Sequence, residues 1–134
     1  MSDRRSIPER TRSLLSHWLP PILWMVLIFV VSAQPTLPSP PDPWLDLLLK
    51  KMAHFLEYAI LAFLWWRALS GGDLHAGRPL IVAGMASILY AVSDEYHQTF
   101  VPGRHGQVWD VAVDSAGVIT ALGSIRWLRE RHNG

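Results

Sequence analysis

The sequence predicts an all-α protein, a four-helix transmembrane bundle with both termini in the cytoplasm. Three observations predict this fold: a long uncharged apolar stretch, a proline and glycine pattern that divides the chain into four helical segments, and an uneven distribution of basic residues. The 134 residues have room for four spans of about 20 residues with short loops. This length excludes a large soluble enzyme.

The first predicted helix runs from about Ser16 to Ala33. No Asp, Glu, Lys or Arg occurs from Ser13 to Pro41, and the apolar centre reads WLPPILWMVLIFVVSA. The length and apolar composition of this stretch are sufficient by themselves to predict a membrane-spanning helix. The alternative is a secretory signal cleaved after Ala33, since arginines precede the apolar run. The early position of Pro20 and Pro21 and the membrane-like remainder of the chain favour an uncleaved span.

Prolines and glycines delimit three further helices. The proline-rich residues 34–43 exclude regular helix and sheet. The helices that follow run from about Trp44 to Leu69, ending at Gly71-Gly72, from about Pro79 to Phe100, ending at Pro102-Gly103, and from about Gln107 to Trp127. The predicted organisation is a basic cytoplasmic arm (1–15), one four-helix membrane domain (16–128) and a cytoplasmic tail (129–134).

Basic residues and tryptophans predict the orientation of the bundle. One side of the four-span arrangement carries Arg4, Arg5, Arg10, Arg12, Arg67, Arg78, Arg126, Arg129 and Arg131, and the other carries only Lys50, Lys51 and Arg104. By the positive-inside rule the termini are cytoplasmic. Six of the seven tryptophans fall at predicted helix ends, where their rings prefer the headgroup level. A soluble helical bundle, the competing fold, requires no such sorting.

Polar residues interrupt the last three helices on one face of each. They are Lys51, His54, Glu57 and Tyr58 on the second helix, Asp94, His97 and Gln98 on the third, and Gln107, Asp110 and Asp114 on the fourth, whose seam continues through Gly117, Ala121 and Ser124. With a rise of 1.5 Å per residue, Glu57, Asp94 and Asp114 each lie roughly 10 Å into their helix. A charge at the bilayer centre costs about 2.5–3.5 kcal/mol, so we expect these carboxylates to cluster between the helices.

Three spaced motifs carry a family resemblance. They read Lys51-x-x-His54-Phe55-x-Glu57-Tyr58, then Tyr90-x-x-x-Asp94-Glu95-x-His97-Gln98-x-Phe100-x-Pro102-Gly103-Arg104, then Asp110 with Gly117. Their order and spacing resemble the signature of the VanZ-like family of bacterial membrane proteins, from about Trp18 to Leu122. Ser32-x-Gln34-Pro35 also resembles the family pattern. Asp114 departs from it, because the family more often has asparagine there.

The resemblance implies a multi-pass protein of the bacterial plasma membrane. The founding member of the family is associated with resistance to the glycopeptide teicoplanin, which implies a role in envelope or antibiotic response. The matched residues implied to be central are His54, Glu57, Asp94, Glu95, His97, Gln98, Arg104 and Asp110. They lie at the predicted outer side, where cell-wall precursors are found.

Several functions are compatible with these residues. The first is binding or modification of a lipid-linked or cell-wall-precursor headgroup. In this function the phosphate is contacted by Arg104, Lys51 and His105. The predicted binding residues are Lys51, His54, Glu57, Tyr58, Gln98, Arg104, Asp110 and Asp114. The second is a metal-dependent hydrolase of a lipid phosphate, its divalent ion held by Glu57, Asp94, Asp110 and His54. Candidate catalytic groups are Asp94, Glu95 and His97, although no nucleophile is evident.

Two less specific hypotheses also account for these polar residues. The cluster can be a structural network without catalysis, in which carboxylates pair with Lys51, Arg104 and protonated histidine. An ion pathway is disfavoured because the polar residues stop near mid-membrane. Expected partners are membrane lipids and not nucleic acid, because arginines just before a span are typical of a topogenic signal.

Overall fold

A computed structural model describes residues 9–71 and 77–134, so Arg4, Arg5 and Gly72 lie outside the described residues. Within these ranges the chain is all-α, without strands. Its four helices are α1 (Glu9–Ser32), α2 (Pro43–Ser70), α3 (Arg78–Gln98) and α4 (Val108–His132). The predicted fold class is confirmed at this level. Helices α1 and α4 are long and apolar enough to cross a membrane by length and composition.

Two helices extend further into polar sequence than predicted. Helix α1 begins at Glu9 rather than at about Ser16, and α4 continues past Trp127 to His132. The predicted boundaries followed the apolar residues, whereas backbone hydrogen bonds continue wherever side chains permit a helix. An acidic first turn in α1 and a basic last turn in α4 also suit the helix dipole.

The ends of α2 follow local signals in the sequence, although Pro43 begins the helix rather than lying in the loop predicted for residues 34–43. Asp42 is the N-cap, and its side chain accepts a hydrogen bond from the Trp44 amide at 2.9 Å. Pro43 occupies the first turn, where its missing N–H is not needed. Gly71 ends the helix in the left-handed conformation, with φ +61°, which favours glycine. These signals fix both the start of α2 and its length.

Helix α2 lies at the centre of the bundle. It packs most extensively on α4, and it also contacts α3 and α1, whereas α1 touches α3 only slightly. Gly117 explains the close approach of α2 and α4, because a Cβ atom there would lie 2.1 Å from the carbonyl oxygen of Phe55. This contact is backbone against backbone and cannot be relieved by a side-chain movement. The two helices therefore touch directly beside His54 and one turn after Asp114.

The seam of α4 departs from the prediction at its inner end. Asp114 and Gly117 are buried as expected, but Ser124 is exposed and its hydroxyl donates to the carbonyl oxygen of Thr120 in its own helix. Val118 and Ile125 occupy the buried positions instead. The reason is that small residues at alternating spacings of three and four do not by themselves select which face packs.

The outer faces of the helices are apolar. Residues exposed there include Leu19, Leu23, Val26 and Phe29 on α1, Leu45, Leu48, Met52 and Leu56 on α2, Ile81, Met85, Leu89 and Val92 on α3, and Ile119 on α4. A water-soluble domain rarely exposes apolar patches of this extent. The polar groups of the last three helices face inward, so the bundle has the inside-out polarity that suits a lipid environment.

Candidate functional site

Asp94 joins three helices at the centre of the site. It lies on α3 and is only 4% exposed. Its Oδ1 accepts a hydrogen bond from the Ser32 hydroxyl of α1 at 2.6 Å. Its Oδ2 accepts from the Tyr58 hydroxyl of α2 at 3.3 Å and from the Gln98 amide at 3.2 Å. Asp94 is thus held by neutral donors.

Beside Asp94, a second group is formed by His54 of α2, Glu95 of α3 and Asp114 of α4. The Nδ1 atom of His54 lies 3.0 Å from Oδ1 of Asp114 and 3.8 Å from Oε1 of Glu95. Asp114 is fully buried and Glu95 is 5% exposed. Glu95 also accepts hydrogen bonds from the Gln107 amide N–H at 2.9 Å and from Gln98 at 3.4 Å. One ligand atom from each of His54, Glu95 and Asp114 lies within 4.8 Å of the others, which is close enough for one metal ion.

Lys51 and Asp110 form a hydrogen-bonded ion pair between α2 and α4. Both side chains are partly buried. Each lies one turn before a member of the second group, Lys51 before His54 and Asp110 before Asp114. The pair therefore stands between that group and the end of the bundle, where it neutralises the outermost carboxylate.

Arg104 fastens the loop between α3 and α4 to the end of α1. Its Nε donates to the carbonyl oxygen of Gln34 at 3.0 Å, and its Nη2 donates to that of Val31 at 3.1 Å. These acceptors belong to the last turn of α1 and the residues just beyond, where carbonyl groups lack helical donors. Gly103 turns the chain with φ +79°, which directs Arg104 to this position.

A cleft of about 210 Å³ opens above these groups. Its lining includes five basic or imidazole side chains from α2 and the loop, namely Lys50, Lys51, His54, Arg104 and His105, together with Gln98, Gln107 and Asp110. A smaller adjoining cavity of about 90 Å³ is lined by Glu57 and Asp94, among others. The cleft is thus basic at its rim and acidic below.

The family model described as VanZ/LLP1 matches residues 16–129, which includes the whole site. The chain belongs to the VanZ/LLP1 family. The predicted resemblance is therefore confirmed. No curated protein and no solved structure gives a significant match. Family membership and the two apolar helices together indicate a VanZ-like membrane protein.

The structure of this VanZ/LLP1 protein distributes the predicted metal ligands differently. The sequence prediction named Glu57, Asp94, Asp110 and His54, but only His54 belongs to the group whose ligand atoms converge. Asp94 is occupied by hydroxyl and amide donors and Asp110 by Lys51. The other members of the convergent group, Glu95 and Asp114, were predicted as catalytic and binding residues. Spacing along a helix predicts how deep each side chain lies, but it does not predict which side chains of other helices it contacts.

His97 and Arg104 also have partners that the sequence did not indicate. The His97 ring stacks on Phe29 with centroids 4.5 Å apart, and its buried Nδ1 has no hydrogen-bond partner in the described part of the chain. An acid/base pair of His97 with Asp94 is therefore not formed in this arrangement. Arg104 contacts backbone carbonyls and forms no ion pair with Asp94 or Glu95 within residues 9–71 and 77–134.

Ser32 is the site residue that sequence reasoning did not select. It lies at the end of α1 and is buried beside Asp94. Its signal was the polar position it occupies after a long apolar run, within a motif that resembles the family pattern. Two further contacts hold α1 in place: Trp24 donates to the carbonyl oxygen of Glu57 at 2.9 Å, and Tyr90 donates to that of Met25 at 2.6 Å.

Proposed function

We propose that this VanZ/LLP1 protein binds the phosphate-bearing headgroup of a membrane lipid or lipid-linked cell-wall precursor in the basic cleft. The proposal includes a four-span arrangement in the bacterial plasma membrane, with both termini cytoplasmic and the cleft at the outer face. The observation that carries it is the cleft itself, whose rim holds Lys50, Lys51, Arg104 and His105 beside apolar helix faces. A lipid headgroup is the ligand that needs a charged cleft and an apolar wall together.

Arg104 is the residue that best suits phosphate recognition. Its Nε and Nη2 are used by Gln34 and Val31, and this fixes the guanidinium plane at the rim of the cleft. The remaining N–H groups of the fork are available for a phosphate oxygen. Lys51 contributes charge from the opposite wall, although its pairing with Asp110 offsets part of it. We expect Arg104 to orient the ligand and the lysines to attract it.

Binding can be tested with short-chain lipids and detergent-purified protein. The probes are dihexanoyl phosphatidic acid, farnesyl diphosphate as a soluble prenyl phosphate, and dihexanoyl phosphatidylcholine, all followed by thermophoresis. We expect the first or second probe to bind and Arg104→Gln to weaken that binding by about tenfold, because charge-assisted hydrogen bonds contribute about 1.5–3 kcal/mol. Preference for the prenyl phosphate would identify a cell-wall precursor, and preference for phosphatidic acid a phospholipid.

The matched control is Arg126→Gln. Arg126 is exposed on α4 toward the opposite end of the bundle, where it pairs with Glu130 at 3.0 Å. Its replacement should leave binding unchanged. Equal affinities for both arginine variants, or phosphatidylcholine binding as tightly as the phosphate probes, would contradict the proposal. Thermal unfolding of each variant separates lost binding from lost folding.

The proposal extends to the glycopeptide response through the same cleft. A protein that holds a lipid-linked precursor at the outer face is positioned to change how a glycopeptide reaches its target. Expression in a teicoplanin-sensitive bacterium should lower susceptibility to teicoplanin, and Arg104→Gln should remove the effect while Arg126→Gln retains it. Unchanged susceptibility with wild-type protein present in the membrane would restrict the proposal to lipid binding.

A further inference from the structure

The group formed by His54, Glu95 and Asp114 has the spacing of a metal site. Three different helices each contribute one ligand atom, and Nδ1 of His54 lies 3.0 Å from Oδ1 of Asp114 and 3.8 Å from Oε1 of Glu95. Ligand atoms that share an ion at about 2.0–2.2 Å lie roughly 3.0–3.5 Å apart. The separation between His54 and Asp114 falls in this range, the separation between His54 and Glu95 is slightly longer, and all three ligand atoms lie within 4.8 Å of one another.

A second observation points to a ligand, because one oxygen of Asp114 lacks a partner. Asp114 is fully buried, and its Oδ2 has no hydrogen-bond donor among the residues that the structure describes. Leaving such an oxygen unsatisfied in the interior is costly, more so for a carboxylate than for a neutral group. A metal ion bound by both oxygens of this carboxylate would satisfy it.

The charges near this group also favour a cation. Asp94 has Ser32, Tyr58 and Gln98 as donors, and Asp110 has Lys51. Glu95 and Asp114 share His54, which offers a positive charge only when it is protonated. Two buried carboxylates beside one neutral imidazole carry a negative charge that a divalent cation would balance. The neutral imidazole can also coordinate such an ion.

Two glycines hold the ligand-bearing backbones at fixed positions. Gly117 lets α4 approach Phe55, the neighbour of His54, and Gly106 lets the loop press on the carbonyl oxygen of Glu95, where a Cβ atom would lie 2.3 Å away. Both contacts are against backbone, so neither tolerates a side chain. The donor set is thus preorganised by packing and not only by its own hydrogen bonds.

We propose that His54, Glu95 and Asp114 bind a divalent transition-metal ion, such as Zn²⁺ or Mn²⁺, at the floor of the basic cleft. One imidazole nitrogen and two carboxylates are a donor set that such ions accept. His54 lines the cleft, so the remaining coordination positions are within reach of water or a bound anion. The site does not depend on headgroup binding, and its ion can be measured without lipid.

The test uses tag-free protein purified in detergent, stripped with EDTA and then dialysed against Zn²⁺ or Mn²⁺. Elemental mass spectrometry should find about one ion per chain. Asp114→Asn and Glu95→Gln should each weaken binding at least about tenfold. Asp46→Asn is the matched control, because this carboxylate of α2 pairs with Lys50 at 2.6 Å and is not in the group. It should retain the ion.

Wild-type protein alone can also overturn the proposal. With Mn²⁺ bound, electron spin echo modulation should report a coordinated imidazole nitrogen, and this measurement needs no variant to fold. Binding of neither metal by the wild type would refute the site, as would Mn²⁺ bound without a nitrogen ligand. The same conclusion would follow if both ligand variants folded and kept wild-type affinity. These results are independent of whether lipid phosphates bind the cleft.

Discussion

At the scale of single residues, Asp94 depends on donors from other parts of the bundle. The hydroxyl groups of Ser32 on α1 and Tyr58 on α2 donate hydrogen bonds to Asp94. Both donors are uncharged. A buried carboxylate without hydrogen-bond donors destabilises the fold. These neutral groups therefore stabilise Asp94 in place of a positively charged partner. The contact also makes α1 part of the site rather than an anchor alone.

Ser32→Ala should destabilise the protein through the loss of this contact. Interhelical hydrogen bonds in membranes average about 0.6 kcal/mol, and a carboxylate acceptor raises the expected cost to about 1–2 kcal/mol. The measurement is the free energy of unfolding from a titration with sodium dodecyl sulfate in mixed micelles. Ser124→Ala is the control, because its exposed hydroxyl bonds only within α4. If the two variants lost equal stability, the Asp94 contact would carry no special weight.

At the scale of helices, the approach of α2 to α4 determines which polar groups meet. Gly117 lies three residues after Asp114, and Phe55 follows His54 directly. The glycine therefore sets the distance between the two helices at the level of the site. A membrane bundle gains little from a hydrophobic driving force, so close packing at small residues carries much of its stability.

Gly117→Ala should separate α2 and α4 and destabilise the bundle. The added Cβ atom would meet the Phe55 carbonyl oxygen at 2.1 Å, so backbone must shift, at a cost of about 1–3 kcal/mol or more. Unfolding in mixed micelles again measures the effect. Gly123→Ala in the same helix meets nothing within 4 Å and should be neutral or stabilising by up to about 1 kcal/mol. A neutral Gly117→Ala would mean that the helices are further apart than described.

At the scale of the whole molecule, the apolar exterior and the distribution of basic residues predict one orientation in the membrane. The loops at residues 33–42 and 99–107 lie at one end of the bundle, since Arg104 bonds to Val31 and Gln34. The opposite end carries Arg126, Arg129 and Arg131 on the last turns of α4. The asymmetry predicts that the site faces away from the cytoplasm.

The orientation can be tested with single cysteines because the natural chain has none. Ser39→Cys in the loop after α1 should react with a membrane-impermeant maleimide on intact cells or spheroplasts. Asn133→Cys beyond α4 should react only after the membrane is permeabilised. Both positions are exposed, so folding should not be disturbed. The reverse pattern would mean that the topology is inverted. Labelling of both sites from outside would show that α2, α3 and α4 do not all cross the membrane.

Sequence patterns were enough to predict an all-α fold with four helices, and they named as candidates most of the side chains that the structure brings together, although not Ser32. Apolar runs, prolines and glycines act locally, so the end of α2 at Gly71 could be read directly, and the spaced motifs indicated the family. Which polar side chains meet depends instead on how the four helices pack. Ser32 reaching Asp94, Arg104 reaching α1, and Glu95 rather than Asp94 joining His54 all depend on helix rotation and approach. Those are set by packing contacts such as Gly117 against Phe55, which join residues far apart in the chain, and periodicity along one helix contains no information about them.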